Sequence, residues 1–398
     1  MTGAILTLNA GSSSIKFALY RAAHLEAMLR GEIEALGNAP HLWARDRAGA
    51  MIGERRWPAD GTGDFNAVLH ALLDFVDSHL GDATLSAVGH RVVHGGADHA
   101  MPEVVTPALL AELDALTPLD PLHMPVNLAP IRAVSLARPT LPQVVCFDTG
   151  FHHDMPILAQ LVALPQAVVG RTIRRYGFHG LSYEFIAGRL AEIAPSRAKG
   201  RVIVAHLGSG ASLCALLDGR SIETTTGFSA LDGLVMATRC GTIDPGVLLY
   251  LAQQGHSLGD IEDMLYRRSG LLGVSGLSGD IRVLEASEDK RARLALDLFS
   301  YRIAGEAGRL TAALGGLDML VFTAGVGEHA ASVRADVCAR LGWLGLRLDA
   351  AANAASAEVI SASDATVEIR VVPTDEEAVI ARHTSRVARI GVPLENSK

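Results

Sequence analysis

The sequence predicts an α/β protein made of two duplicated domains, and three features carry that prediction. The chain has 398 residues, well beyond the ~100–200 of a typical domain, and a 49% hydrophobic, 20% charged composition that can bury a large core. Residues 5–20, ILTLNAGSSSIKFALY, and 202–217, VIVAHLGSGASLCALL, repeat one plan nearly half a chain apart: β-rich run, polar residue, Gly-Ser turn, second β-rich run. In each half, strand-like and helix-like segments alternate.

Taken in order, the first hairpin sets Gly11, Ser12 and Asn9 opposite Gly208, Ser209 and His206 of the second. LPQVVCFDTG at 141–150 reads as an apolar strand that ends at Asp148, and the domain boundary is expected in an ordered turn near Asp148 to Met155. SYEFIAGRLAEIA at 182–194 has the spacing of an amphipathic helix. Near the end, the strand EIRVV precedes Pro373 and the helix AVIARHTSRVARI, with Thr374 and Glu377 at the spacing of a capping box. A terminal helix in that place would return to pack on the first half.

Composition narrows the partners. The 35 Lys and Arg against 43 Asp and Glu leave a net charge of -8, which disfavours general attraction to nucleic acid or an anionic membrane. An anionic substrate therefore needs a local basic cluster. The first residues lack a basic region and reach Asn9 after a short apolar run, unlike a signal peptide, and no apolar run approaches the ~20 residues of a membrane span. Cys146, Cys214, Cys240 and Cys338 have neither metal-finger nor CxxC spacing, so thiols in a reducing, cytoplasmic compartment are expected.

Three glycine-rich turns follow strand-like runs: Asn9 to Lys16, His206 to Gly210, and Thr323 to His329. Small residues let backbone N–H groups approach an anion, and hydroxyls with Lys16 add donors, so the set suits a polyphosphate. None is the Walker or the dinucleotide pattern. Each alone also reads as a plain β-turn. The basic cluster is available in His90-Arg91-Val-Val-His94, Arg174-Arg175-Tyr-Gly-Phe178-His179 and Thr238-Arg239-Cys-Gly, where an Arg can present its planar fork to a carboxylate or a phosphoryl group, although a surface charge is the plainer reading. Asp148 at a strand end suits serving magnesium, orienting a nucleophile, or a simple helix or turn cap. Glu376, in a first helical turn, is also favoured by the helix dipole alone.

Together these motifs resemble the acetate kinase family of carboxylate kinases, within the superfamily of acetate and sugar kinases, chaperone ATPases and actin. The carriers span nearly the whole chain: LTLNAGSSSIKF, GHRVVHGG, DPLHMPVNL, VVCFDTGFH, RRYGFHG, AHLGSGAS, MATRCGTIDPG, GVSGLSGDIR, FTAGVGEH and VVPTDEEAVIA. The resemblance implies two ribonuclease-H-like domains with the nucleotide in the cleft between them, and a homodimer. The lobes would be 1–148 with 374–398, closed by the C-terminal helix, and a nucleotide-binding lobe at 149–373. It further implies Asn9 and Glu376 on magnesium, which manganese can replace, and Ser12, Ser14 and Lys16 facing phosphate. His206, Leu207, Gly208, Ser209 and Gly210 would line the triphosphate of ATP or ADP. Asp280, Ile281 and Arg282, with Gly325, Val326, Gly327, Glu328 and His329, would form the adenosine pocket. Arg91 and Arg239 would clamp the carboxylate and the phosphoryl in flight, His179 would stabilise equatorial oxygens, and Asp148 would be catalytic. Val93, Leu122, His123, Phe178 and Ala230 would surround the acyl group.

The implied reaction is reversible, ATP- and magnesium-dependent phosphorylation of acetate to acetyl phosphate. Four positions depart from the family pattern: Ser209 and His329 each replace an Asn, Ala230 a Pro and Met124 an Asn. The first two leave nucleotide preference open and the others suggest a roomier acyl pocket, so a propionate or butyrate kinase is the nearest alternative. A nucleotide-driven binding module like the chaperone ATPases or actin is the alternative of another class.

Overall fold

The computed structural model describes residues 2–11, 14–59 and 64–390. The chain forms two compact units, Met1–Gly150 with Asp375–Lys398, and Phe151–Thr374.

The first unit holds β1 (Thr2–Ala10), β2 (Ile15–Arg21), β3 (Glu26–Glu34), β4 (His41–Asp46), β5 (Met51–Arg56), β6 (Ala83–Val92), β7 (Glu103–Val104) and β8 (Gln143–Phe147), in one sheet of order β5-β4-β3-β2-β1-β6-β8-β7. The predicted hairpin is β1 against β2, antiparallel with Asn9 opposite Lys16, and β6 adds to the other edge of β1 in parallel. Alternate residues of β1, Ala4, Leu6, Leu8 and Ala10, point into a core closed by the helices Phe65–Ser78 and Met124–Ala137. The first helix starts where Asp64 accepts a hydrogen bond from Ala67 N, and its spacing of Val68, Leu69, Leu72, Leu73 and Val76 supplies the buried face. The helix Glu376–Val387 covers β1, β6 and β8. It lies so close to β6 that a β-carbon at Gly89 would stand 2.6 Å from Ile380 Cγ2.

In the second unit, β9 (Arg201–Leu207), β10 (Ala211–Leu217), β11 (Arg220–Thr224), β12 (Met319–Thr323) and β13 (Glu368–Val371) form a sheet of order β11-β10-β9-β12-β13. β9 and β10 are the second predicted hairpin, and β12 joins β9 in parallel. The central order, three antiparallel strands followed by two parallel ones, repeats β3-β2-β1-β6-β8 of the first unit. Both faces of β9 are buried, Val202 and Val204 on one side and Ile203, Ala205 and Leu207 on the other. The helix Lys290–Leu314 packs Ala292, Ala295, Phe299, Ile303 and Leu310 on the second face and stops at Gly315, whose φ of 70° suits a residue without a side chain. Among the described residues no helix is long and apolar enough to cross a membrane.

One local expectation is corrected. Thr374 and Glu377 do not form the capping box: the N-cap is Asp375, whose carboxylate accepts from Ala378 N at 2.9 Å, while Thr374 Oγ1 lies 2.9 Å from Ser182 Oγ.

Candidate active site

In the first unit the chemistry gathers where the β1–β2 hairpin opens, at the ends of β6 and β8, and at the start of the terminal helix. Arg91, on β6, donates from Nε at 2.9 Å and from Nη2 at 2.5 Å to Asp148 Oδ2, just past β8. Asp148 is 1% exposed, and its Oδ1 is buried with no hydrogen-bond partner among the described residues. Burial works against the Arg91 charge, but Asp148, Glu376 and Asp120 outweigh it and hold the guanidinium firmly protonated. Asp148 is therefore neither a helix cap nor an isolated acid but the partner of Arg91.

Asn9 Nδ2 donates to Glu376 Oε2 at 2.9 Å and to Glu377 Oε1 at 3.2 Å, so its amide oxygen takes no part in these contacts and could serve a cation. Burial first, then the charge of Asp148, pushes the Glu376 carboxyl well above the usual range against the opposing pull of Arg91 and Lys16. A partly buried carboxylate flanked by Asp148 and Glu377, beside an orphaned carboxylate oxygen and an amide oxygen, is a donor set suited to a hard divalent cation. Among the described residues no group of three or more His, Cys, Asp or Glu encloses an ion by itself. Magnesium characteristically uses one or two carboxylates and completes its shell with water and substrate phosphate.

The other first-unit positions sit nearby in the chain's layout. Lys16 is exposed, opposite Asn9 in the hairpin register, and Ser14 closes the hairpin turn by accepting from Gly11 N at 2.8 Å. Ser12 lies outside the described residues. Val93 is buried, its N–H donating to Asn127 Oδ1, and Asn127 in turn donates to Ala10 O, tying β6 to the hairpin. His123 precedes the helix Met124–Ala137 with Nδ1 2.8 Å from Asp120 Oδ1, and Leu122 is partly buried beside it.

The second unit carries a distinct cluster. His179 adopts a left-handed φ of 60°, rare for a residue with a β-carbon, at the entrance to the helix Gly180–Ile193. It is held by Ser212 Oγ, 2.8 Å from its Nδ1, and by stacking on His206 with ring centroids 4.2 Å apart. Tyr183 OH fixes Ser212 at 2.5 Å, and Ser182 Oγ fixes His206 Nδ1 at 2.8 Å. A β-carbon at Gly210 would stand 3.2 Å from His179 Nε2 and 3.9 Å from Arg239 Nη1, so the turn, the imidazole and the guanidinium meet at one point. Arg239 is oriented by donating from Nη1 to Ala230 O at 3.0 Å. Phe178 is buried, with its carbonyl 3.0 Å from His152 Nε2.

From Gly208 and Ser209 a cavity of about 490 Å³ extends between Asp280, Ile281, Arg282 and Glu285 on one side and Gly325, Val326, His329 and Ala330 on the other. Ala237, Leu271 and Gly279 complete a largely apolar wall. Leu207 is part of the core, and Gly327 and Glu328 are not among the residues that line the cavity. Their carbonyls accept from Arg334 Nη1, both at 2.9 Å. Arg334 is fully buried and donates its remaining N–H groups to Asn353 Oδ1, Asn353 O and Ser356 Oγ. Sequence reading missed this residue, since nothing local marks Arg334 among the exposed arginines. Of the expected basic group at Arg174-Arg175, Arg175 is structural, pairing with Asp232 and donating to the carbonyls of Thr224, Thr225 and Thr226, while Arg174 donates to His153 O.

Comparison with known proteins accounts for this assembly. The acetokinase family matches residues 4–382. The chain is 51% identical to an acetate kinase of Rhodopseudomonas palustris over 397 residues, 98% of this chain and 99% of that one. It is 48% identical to an acetate kinase of Nitrobacter hamburgensis over 384 residues, 96% of this chain and 95% of that one. The crystal structure of a propionate kinase from Francisella tularensis superposes with a TM-score of 0.89 at 36% identity, covering 97% of this chain and all of that one (100%). That of Porphyromonas gingivalis acetate kinase does so at 0.84 and 35%, covering 97% and 99%. The two sheets are accordingly the duplicated ribonuclease-H-like domains of these enzymes. With both hairpin turns, the paired Arg91 and Asp148 and the His179–Arg239 cluster lying inside the matched span, the chain is an enzyme of the acetokinase family.

Proposed function

We propose that this enzyme transfers the γ-phosphoryl group of ATP to the carboxylate of acetate, reversibly, giving acetyl phosphate and ADP. A small carboxylic acid with a pKa of about 4 is already ionised at neutral pH, so its oxygen attacks phosphorus with no proton to remove. The new carboxyl O–P bond forms as the bond from phosphorus to the ADP oxygen breaks. The protein's work is alignment of two anions and neutralisation of the charge on the transferring group.

The observation that carries this reading is the meeting of His179 Nε2 and Arg239 Nη1 at Gly210, on the turn whose Gly208 and Ser209 open the 490 Å³ cavity. The residues of Phe151–Thr374 take the nucleotide: Asp280, Ile281, Arg282, Gly325, Val326 and His329 around the nucleoside, and the turn from His206 to Gly210 along the triphosphate. Gly327 and Glu328 act on it only through the backbone that Arg334 holds. Arg239 and His179 face the equatorial oxygens. In the other unit Arg91, with Val93, Leu122 and His123, receives the carboxylate; Phe178 and Ala230 are assigned to the acyl group by their motifs. Ser12, Ser14 and Lys16 face phosphate. Asn9 and Glu376 hold magnesium, and Asp148 orients Arg91 and the ion's water shell rather than accepting a proton. Magnesium, when bound, spreads the phosphate charge as a Lewis acid.

A homodimer is in keeping with the helix Pro245–Gln253, none of whose residues is buried and which exposes Leu249 and Tyr250. A reducing cytoplasm is in keeping with four cysteines that form no disulfide among the described residues. The direct test is incubation with ATP, magnesium and acetate followed by hydroxylamine trapping. Acyl hydroxamate is the expected product. ATP hydrolysis without hydroxamate overturns the kinase reading in favour of a nucleotide-driven binding module, and a panel of acetate, propionate and butyrate ranks the acyl acceptors.

A further inference from the structure

We infer that Arg30 and Tyr20 are positioning residues for the cation-binding carboxylate, acting through Asp375 to fix the first turn of the terminal helix and thereby the reach of Glu376. The inference rests on reading Asn9 and Glu376 as magnesium ligands.

Three acids, Asp375, Glu376 and Glu377, open that helix in succession. The helix dipole favours acid there, but three carboxylates on one turn repel each other and compete for a single cation. The structure gives them different partners. Both oxygens of Asp375 are taken by the protein: Oδ1 accepts from Ala378 N at 2.9 Å and from Tyr20 OH at 3.4 Å, and Oδ2 accepts from Arg30 Nη2 at 2.5 Å. Glu376 and Glu377 share the amide of Asn9. Asp375 is thus withdrawn as a ligand, and the helix start is pinned to two adjacent strands, Tyr20 on β2 and Arg30 on β3.

The pin is built on packing as well as charge. Tyr20 is 1% exposed, packed with Ala18 of β2 and Ala381 of the terminal helix, and the Arg30 guanidinium lies 5.9 Å from the centre of its ring. Arg30 therefore spans from an aromatic ring anchored in the sheet to the carboxylate that caps the helix. Without it, Oδ2 of Asp375 has no partner among the described residues, the cap is free to rotate, and the neighbouring Glu376 loses its fixed frame.

The sign of the effect separates this role from plain electrostatics. Removing a positive charge near a cation site strengthens cation binding through the field alone, whereas loosening the ligand weakens it. The experiment is titration of the full-length enzyme with Mn²⁺ in the presence of ADP, free ion being read by electron paramagnetic resonance, for wild type, Arg30→Met, Arg30→Lys, Tyr20→Phe and Glu376→Gln, with thermal unfolding alongside. Arg30→Met is expected to weaken Mn²⁺ binding about tenfold, Arg30→Lys to recover part of it and Tyr20→Phe to cost two- to threefold, on the scale of supporting contacts to metal ligands. Unchanged or tighter Mn²⁺ binding by folded Arg30→Met, with binding lost in Glu376→Gln, overturns the inference alone. Wild-type binding that Glu376→Gln leaves intact overturns the metal reading beneath it.

Discussion

At the residue scale the roles divide by which atoms already have partners. Arg91 spends Nε and Nη2 on Asp148, which locks its orientation and leaves its outer edge for the substrate anion proposed for it. Arg239 donates from Nη1 to Ala230 O and approaches Met236 Sδ, an orientation consistent with the phosphoryl-facing role proposed for it. Arg239→Ala is expected to lower kcat by about 10³ or more, the range of an arginine that stabilises phosphoryl transfer, and Arg239→Lys to restore little of it because an ammonium lacks the fork. Hydroxamate formation under saturating substrates measures both. Asp148→Asn is expected to raise the magnesium concentration needed for half-maximal rate and to slacken Arg91. A shifted acidic limb in the rate profile with no change in magnesium requirement would show instead that Asp148 handles a proton.

At the element scale, local pattern and tertiary partners compete. The two hairpins follow from their sequences, since alternation in β1 and β9 and the Gly-Ser turns are local properties. The cap of the terminal helix does not: Thr374 and Glu377 have the right spacing, yet Ser182 takes the Thr374 hydroxyl, and Arg30 and Tyr20 take Asp375. Arg334 is the same lesson at the cavity turn, because its burial depends on Asn353 and Ser356, well along the chain. Arg334→Met should leave the Gly327 carbonyl and Asn353 Oδ1 without their donor, at about 1–3 kcal/mol for each buried group, while Ser356 still donates to Glu328 O and Asn353 O. The expected result is a lower unfolding midpoint together with a raised KM for ATP at nearly unchanged kcat, measured on the fraction that folds. Equal loss in both kinetic constants would place Arg334 in the chemistry rather than behind the turn.

At the scale of the whole molecule, stability depends on pH through histidines that each fold keeps neutral. Burial depresses His90 and His152 to about 4, outweighing the hydrogen bonds to Gln143 and to the Phe178 carbonyl. The unfolded chain, with histidine near 6.5, binds more protons between these values, so stability is fully present above pH ~6.5 and falls as pH drops towards 4. The depression of each corresponds to a contribution on the order of 3 kcal/mol at most, at ~1.4 kcal/mol per unit. Urea midpoints across that window should fall, and less steeply in His152→Gln, where one of the titrating groups is gone. Sedimentation should report a dimer, and Tyr250→Glu, on the exposed face of Pro245–Gln253, should shift it to monomer if that face is the contact. What the chain by itself determined is the duplicated α/β plan and the type of chemistry, because strand alternation, glycine turns and the motif set are written in short stretches. Tertiary structure decided which oxygen or nitrogen of each motif is free to act: Asp148 is claimed by Arg91, Asp375 by Arg30, and Glu376 by Asn9. Those partners lie tens to hundreds of residues apart, and a hydrogen bond is set by distance in space, which no spacing along the chain encodes.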